Sequence, residues 1–221
     1  MLSDLLLDNG VNLKYLKTIP YKTGYAVIQV EKSGENAILL YSGANHQVTT
    51  EFIDEVLANF SAGDVLMLQN EISNLPYIVK AAAKKGMKIF LNPSPINEVI
   101  NKLDFNDIYC LVLNEVEAKC ISKMDIANFK EWVNENYPNL KVMLTLGKKG
   151  CCFIDGEKIT EHPIFNVDVV DTTATGDTFT GYFVVGICNG EAIEKVLRFP
   201  LPYTNSTLNF TFCFSRCSLI S

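Results

Sequence analysis

Short apolar runs alternate along this chain with longer segments whose apolar residues recur at helical spacing, and that alternation most restricts its fold. Residues 64–68, 87–91, 108–113 and 141–146 read as buried strands. Between and around them, residues 49–60, 75–85, 114–122 and 126–137 read as helices, the second closed by Gly86. In the first of these, Val48, Phe52, Val56 and Phe60 recur every four residues. Strands separated by crossover helices lie parallel, with the helices covering both faces of one sheet. Residues 25–30 and 37–41 instead alternate around Lys32-Ser33-Gly34-Glu35, the pattern of a β-hairpin. The expected class is therefore α/β, three-layered, with a mostly parallel sheet and a small separate hairpin. Helices are also expected at 177–188, stopped near Gly190, and at 191–199.

Composition excludes several functions. At 221 residues and 48% hydrophobic, the chain can bury a substantial core. A net charge of −6 offers no basic footprint for nucleic acid. No run of 18 apolar residues suggests a membrane span, and Met1-Leu2-Ser3-Asp4 lacks the basic start of a signal peptide. The odd count of seven cysteines, without metal-ligand spacing, reads as reduced thiols in a cytoplasmic protein. Cys151 and Cys152 fall in a predicted strand and read as packing residues. Asn205-Ser206-Thr207 and Asn209-Phe210-Thr211 fit glycosylation acceptors, which mean little without secretion.

The stretch richest in chemistry runs from Val169 to Phe183. A β-branched segment, Val169-Val170-Asp171-Thr172-Thr173, leads into Ala174-Thr175-Gly176-Asp177 and then into a helix with an apolar stripe. Small residues at Ala174 and Gly176 let backbone N–H groups point outward at the helix start, where free amides and the helix dipole favour negative charge. Asp177 at the same spot is placed to take a proton from a substrate hydroxyl. An anion cradle beside a base suits phosphoryl transfer. The plainer alternative is a strand–turn–helix with an Asp near the helix start.

This run resembles the Asp-Thr-x-small-small-Gly-Asp signature of the ribokinase family, the phosphofructokinase-B-type sugar kinases. The resemblance implies that Asp177 is the general base and that Ala174, Thr175 and Gly176 form the anion hole. Thr175 and Ala174 depart from the family's more usual Ala and Gly. Four further segments match in order. Leu91-Asn92-Pro93-Ser94-Pro95 resembles the family's Asn-Pro-x-Pro loop. Asn114-Glu115-Val116-Glu117 resembles its Asn-x-x-Glu pair, which acts near magnesium and the phosphates. The same two residues, three apart, also read as an Asn cap with a capping-box Glu. Thr145-Leu146-Gly147-Lys148-Lys149-Gly150 resembles the nucleotide-binding turn, and it is not a Walker-A loop; read alone, it is a Gly-rich hairpin into Cys151-Cys152-Phe153-Ile154. Tyr41-Ser42-Gly43-Ala44-Asn45-His46 resembles the segment after the family's lid strands, which here lie near 24–42. Glu71 matches the Glu that accepts hydrogen bonds from sugar hydroxyls. His46 reads as a loop histidine.

The resemblance covers roughly residues 5–199, so that 1–199 is expected to be a ribokinase-like kinase domain and 200–221 a divergent tail. Nothing like the family's opening strands and Gly-Gly-Lys-Gly loop precedes Met1. After Phe199 the composition shifts abruptly to Asn, Ser, Thr, Phe and Cys with one charge, Arg216, as a reading-frame change, or alternatively a lineage-specific tail, would produce. A fold incomplete at both termini is expected to leave unpaired strand edges and exposed apolar surface.

The function implied is ATP-dependent phosphorylation of D-ribose to ribose 5-phosphate. Site residues carried by the resemblance are Asp177 as base and Glu71, Gly43, Asn45 and Asp177 toward the sugar. Toward ATP they are Asn114, Thr145, Leu146, Gly147, Lys148, Lys149, Gly150, Gly176 and Asp177. Asn114 and Glu117 stand on the magnesium side, and Asp171 with Thr173 resembles the family's monovalent-cation site, for K+. Expected partners are a sugar and ATP, with a homodimer formed through the lid strands and neither nucleic acid nor membrane. A kinase for another sugar or a nucleoside, or an inactive remnant, are the rival readings.

Overall fold

The computed structural model describes residues 2–30, 36–163, 175–198 and 217–219. The chain begins with α1 (Leu2–Asp8) and then forms the antiparallel ribbon of β1 (Tyr25–Val30) and β2 (Asn36–Tyr41), in which Tyr25 pairs with Tyr41. There follow α2 (Thr50–Leu57), β3 (Val65–Gln69), α3 (Leu75–Lys84), β4 (Lys88–Asn92), β5 (Cys110–Asn114), α4 (Glu115–Ser122) and α5 (Phe129–Asn136). The chain continues through β6 (Lys141–Thr145), β7 (Cys151–Asp155), β8 (Lys158–His162), α6 (Thr175–Cys188), α7 (Ile193–Val196) and β9 (Cys217–Leu219). Seven strands make the main sheet in the order β8-β7-β6-β5-β4-β3-β9. From β6 to β9 the pairings are parallel, and β7 and β8 extend the sheet antiparallel.

Side chains on successive strand residues point to opposite faces, and here both sets are apolar. Leu66, Leu68, Ile89, Leu91, Leu111, Leu113, Val142 and Leu144 enter one core, closed by Ile53 and Leu57 of α2, Leu75, Ile78 and Val79 of α3, Ala118 of α4 and Val133 of α5. Phe90, Cys110, Val112, Met143, Cys151 and Phe153 enter the other, closed by Phe179, Phe183 and Val184 of α6 and by Val196 and Leu197. Helices α6 and α7 approach so closely that a Cβ on Gly186 would lie 2.8 Å from Val196 Cγ2. Burial of a Phe or Leu side chain contributes about 1.5–3 kcal/mol, so these two cores dominate stability.

Several elements depart from the sequence reading. Helix α2 ends at Leu57 rather than residue 60, as Asn59 and Phe60 close a tighter turn by donating to Val56 O and Leu57 O. Its buried residues are Ile53, Val56 and Leu57, whereas Phe52 and Phe60 are only partly covered. A four-residue step overshoots a 3.6-residue turn by roughly 40°, so the every-fourth-residue stripe rotates off the core face. The 126–137 helix divides into a 3-10 turn, Ile126–Asn128, and α5. Helix α6 starts two residues early, at Thr175, and α7 covers only Ile193–Val196 of the expected 191–199. Strand β8 was not expected; it follows the two-residue loop Gly156-Glu157, a Gly-X hairpin signal in the sequence. The outer edge of β3 is paired at Val65–Met67 by β9, which comes from the segment read as a tail.

Candidate active site

The carboxyl ends of the parallel strands turn from apolar to polar together. Parallel register sets Gln69 of β3 beside Asn92 of β4, and Asn114 of β5 beside Thr145 of β6. Ligands of open α/β sheets bind outside this edge, because the loops and helix N-termini that follow the strands converge there. Helix α6, from the opposite face, brings Asp177 to the same row, where Gln69 Nε2 donates to Asp177 Oδ1 at 3.1 Å. The two residues are 108 positions apart in sequence.

Thr175, Gly176 and Asp177 form the first turn of α6, whose N–H groups have no partner within the helix. A Cβ on Gly176 would meet nothing within 4 Å, so the space over this turn is open. Thr180 Oγ1 donates to Gly176 O at 2.7 Å and ties the turn to the helix body. Ala174, Asp171 and Thr173 lie outside the described residues.

At the end of β5, Asn114 Oδ1 accepts from Glu117 N and Glu117 Oε2 accepts from Asn114 N, both at 2.9 Å. This is a complete capping box on α4, and it engages one oxygen of each side chain. The capping role is thus observed, and it also fixes both side chains at the sheet edge. Beyond β6, Leu146 N donates to Gly150 O and Gly150 N to Gly147 O, closing the 145–150 segment into a turn before β7. Gly150 has φ 98° and ψ −131°, a region open in practice to glycine alone. Thr145 Oγ1 reaches Leu113 O at 3.4 Å, binding this turn to β5. Lys149 stands 3.7 Å from Glu115, while Lys148 is exposed. The Gly-rich hairpin and the candidate nucleotide loop are therefore the same object.

Glu71 is exposed in the loop between β3 and α3. That loop is anchored on both sides. The buried Asn70 donates from its backbone to Ser94 O at 3.1 Å and from Nδ2 to Pro95 O at 2.6 Å, joining it to the Asn92-Pro93-Ser94-Pro95 segment. Ser73 N donates to Asn45 O, and Ser73 Oγ and Asn74 Nδ2 both donate to Val48 O. Gly43 lies at the base of the ribbon with φ 50°, where a Cβ would come 2.4 Å from Lys22 O. Glycine is obligatory there, and Gly43 and Asn45 together hold the ribbon against the Glu71 loop. His46 is exposed.

Residues 1–201 match the model of the pfkB family carbohydrate kinases. The chain belongs to that family. Among its pfkB relatives, a ribokinase from Haemophilus influenzae is 32% identical over 200 residues, covering 87% of this chain and 65% of the relative. The chain spans comparable shares of other curated relatives it matches, 62% of a Lactococcus lactis ribokinase among them. A crystal structure of a Cryptococcus neoformans ribokinase in complex with ADP superposes with a TM-score of 0.78 at 27% identity, covering 92% of this chain and 71% of that one. An Arabidopsis thaliana ribokinase complexed with ribose and ATP gives a TM-score of 0.72 at 29% identity, over 89% and 66% of the two chains. The ribokinase-like three-layer pfkB fold expected from sequence is thereby shown.

Two residues of this edge escaped the sequence reading. Gln69, the last residue of β3, and Asn70, which follows it, lie just past the expected strand 64–68 and before Glu71. The available signal was the break from Val65-Leu66-Met67-Leu68 to three consecutive polar residues, which marks a strand's arrival at a ligand-facing edge. Among the described residues no three His, Cys, Asp or Glu side chains gather to hold a metal ion, and no helix is long and apolar enough to cross a membrane.

Proposed function

We propose that this chain carries the catalytic edge of a kinase that transfers the γ-phosphoryl group of ATP to D-ribose, yielding ribose 5-phosphate. The observation that carries the reading is the arrival of Asp177, in the first turn of α6, at the carboxyl end of β3. A carboxylate and a turn of amides without partners inside their helix then share the edge where parallel sheets receive ligands. Similarity to ribokinases, one of them solved with ribose and ATP, supports ribose as acceptor and ATP as donor.

In this reading Asp177 takes the proton of the sugar's primary hydroxyl. The hydroxyl oxygen bonds to the γ-phosphorus, the bond to the bridging oxygen breaks, and ADP leaves. The amides of Ala174, Thr175 and Gly176 hold the transferring group, where fixed donors stabilise spreading negative charge. Asn114, Thr145 and the Leu146, Gly147, Lys148, Lys149 and Gly150 turn face the nucleotide. Glu71 accepts hydrogen bonds from the sugar's hydroxyls, with Gly43 and Asn45 holding the ribbon beside it. Asn114 and Glu117 supply oxygen donors of the kind a hard cation such as Mg2+ takes, held through its water shell and neutralising phosphate charge when bound. Asp171 and Thr173, proposed for K+, are given no step. Two copies are proposed to pair through the ribbon, whose Val27 and Leu39 are exposed.

ATP turnover by the 221-residue chain, with ribose, fructose and adenosine compared, tests the reading. Ribose-dependent ADP release that falls at least 100-fold in Asp177→Asn is the expected result. A preference for adenosine would overturn the ribose assignment. Absence of sugar-dependent release, unaltered by Asp177→Asn, would make the chain an inactive remnant.

A further inference from the structure

We infer that Gln69 is a positioning residue for Asp177, a role that rests on the reading of Asp177 as the base. A carboxylate acting as base must present a lone pair to the substrate hydroxyl, yet an exposed Asp at a helix start has rotamers that point it elsewhere. Gln69 Nε2 holds Oδ1 from 3.1 Å, fixes the carboxylate plane and leaves Oδ2 for the hydroxyl. The donor itself is rigidly mounted. Its neighbours Leu68 and Asn70 are both buried, and Asn70 is pinned by two hydrogen bonds to the Ser94-Pro95 segment. Backbone pairing with Asn92 holds Gln69 from the adjacent strand.

Residue type matters as much as place. A neutral amide donates without ever competing for the proton that Asp177 must accept. A lysine here would pair with the carboxylate and weaken it as a base, and a glutamate would share its proton. Asparagine would be shorter by one methylene, withdrawing the donor from a bond already at 3.1 Å. The contact also joins the base to the strand that leads directly into Glu71, so base and proposed sugar ligand share one rigid support.

The test is steady-state kinetics of the full 221-residue chain with ribose and ATP, in wild type and Gln69→Leu. It is paired with NMR of the Gln69 side-chain amide in wild type and Asp177→Asn. The expected result is a fall in kcat of about 10- to 100-fold in Gln69→Leu, with KM for ATP within two-fold and an unchanged melting temperature. The amide resonance of Gln69 should shift in Asp177→Asn and stay put in Glu71→Gln. An active Gln69→Leu, within two-fold in kcat, or a Gln69 amide indifferent to Asp177→Asn, overturns the inference. Should Gln69→Leu unfold, the amide measurement decides alone. A wild-type chain without turnover instead overturns the reading of Asp177 as base, and the positioning role falls with it.

Discussion

The main sheet and the β1–β2 ribbon are built from similar residues and meet opposite fates. Leu111 and Ile89 in the sheet have no exposed surface, while Leu39 and Val27 in the ribbon are 72% and 50% exposed. Strand composition is alike in both regions; the difference is what lies above and below. Helices α2 to α5 cover one face of the sheet and α6 and α7 the other, whereas the ribbon has no described element packed over it on either face. Apolar side chains stabilise a strand only through the partners that remove them from water. The sheet is therefore a foundation, and the ribbon is a surface that stays available.

Four experiments sharpen or break this contrast. The largest effect is expected from Phe183→Ala, which empties the core between α6 and Phe90 and Phe153. A loss of about 3–5 kcal/mol in urea unfolding is expected, and a loss under 1 kcal/mol would show that α6 does not close that face.

The next is a pH dependence confined to the sheet. Burial pushes the Cys151 thiol up to about 12 and Cys152 up to about 11, and it raises Cys110 as well. A thiol raised in the folded state stays neutral there while the unfolded chain ionises, so its contribution is intact below about pH 8.5 and is lost as pH climbs through the folded values. Melting temperature should fall steadily from pH 9 to 11. Substituting Ala at all three positions should flatten that fall, and an equal slope in the triple variant would refute the assignment.

A smaller effect is expected at the ribbon's base. Gly43→Ala places a Cβ against Lys22 O and forces an unfavourable φ, costing about 1–3 kcal/mol. Amide exchange should accelerate in β1 and β2 while β5 and β6 keep their protection. Uniform acceleration would mean that ribbon and sheet unfold as one unit. Leu39→Lys closes the series, with an expected change in stability within about 0.5 kcal/mol. That value holds for the single chain at dilution, and a larger loss there would show that the chain itself covers the ribbon's face. Where two copies pair through the ribbon as proposed, the loss grows with concentration, which sedimentation velocity reads directly.

Much of the candidate site was legible in the chain. The Asn114-Glu117 spacing announced a capping box, and the box is there with both bonds formed. Thr145 to Gly150 announced a turn, and the positive φ at Gly147 and Gly150 explains its glycines. The failures have two causes. Ile53 and Leu57 were missed as the buried residues of α2, because a four-residue stripe approximates helical periodicity too coarsely over three turns. Strand β8 was missed because its exposed residues, Lys158, Ile159 and Glu161 among them, carry little of the apolar signal used to find strands.

Local order and chemistry were largely determined by the sequence alone: which apolar runs are strands, which residue caps α4, where glycine is needed, and that Asp177 stands near a helix start. These follow from interactions between residues a few positions apart, governed by backbone sterics and short-range hydrogen bonds. Only the tertiary structure decided that Gln69 meets Asp177, that Asn70 anchors the Glu71 loop to Pro95, and that β9 borders β3. Such pairings depend on how sheet and helices pack in three dimensions, and hydrophobic burial, being non-directional, leaves no mark of its partner on the residue itself.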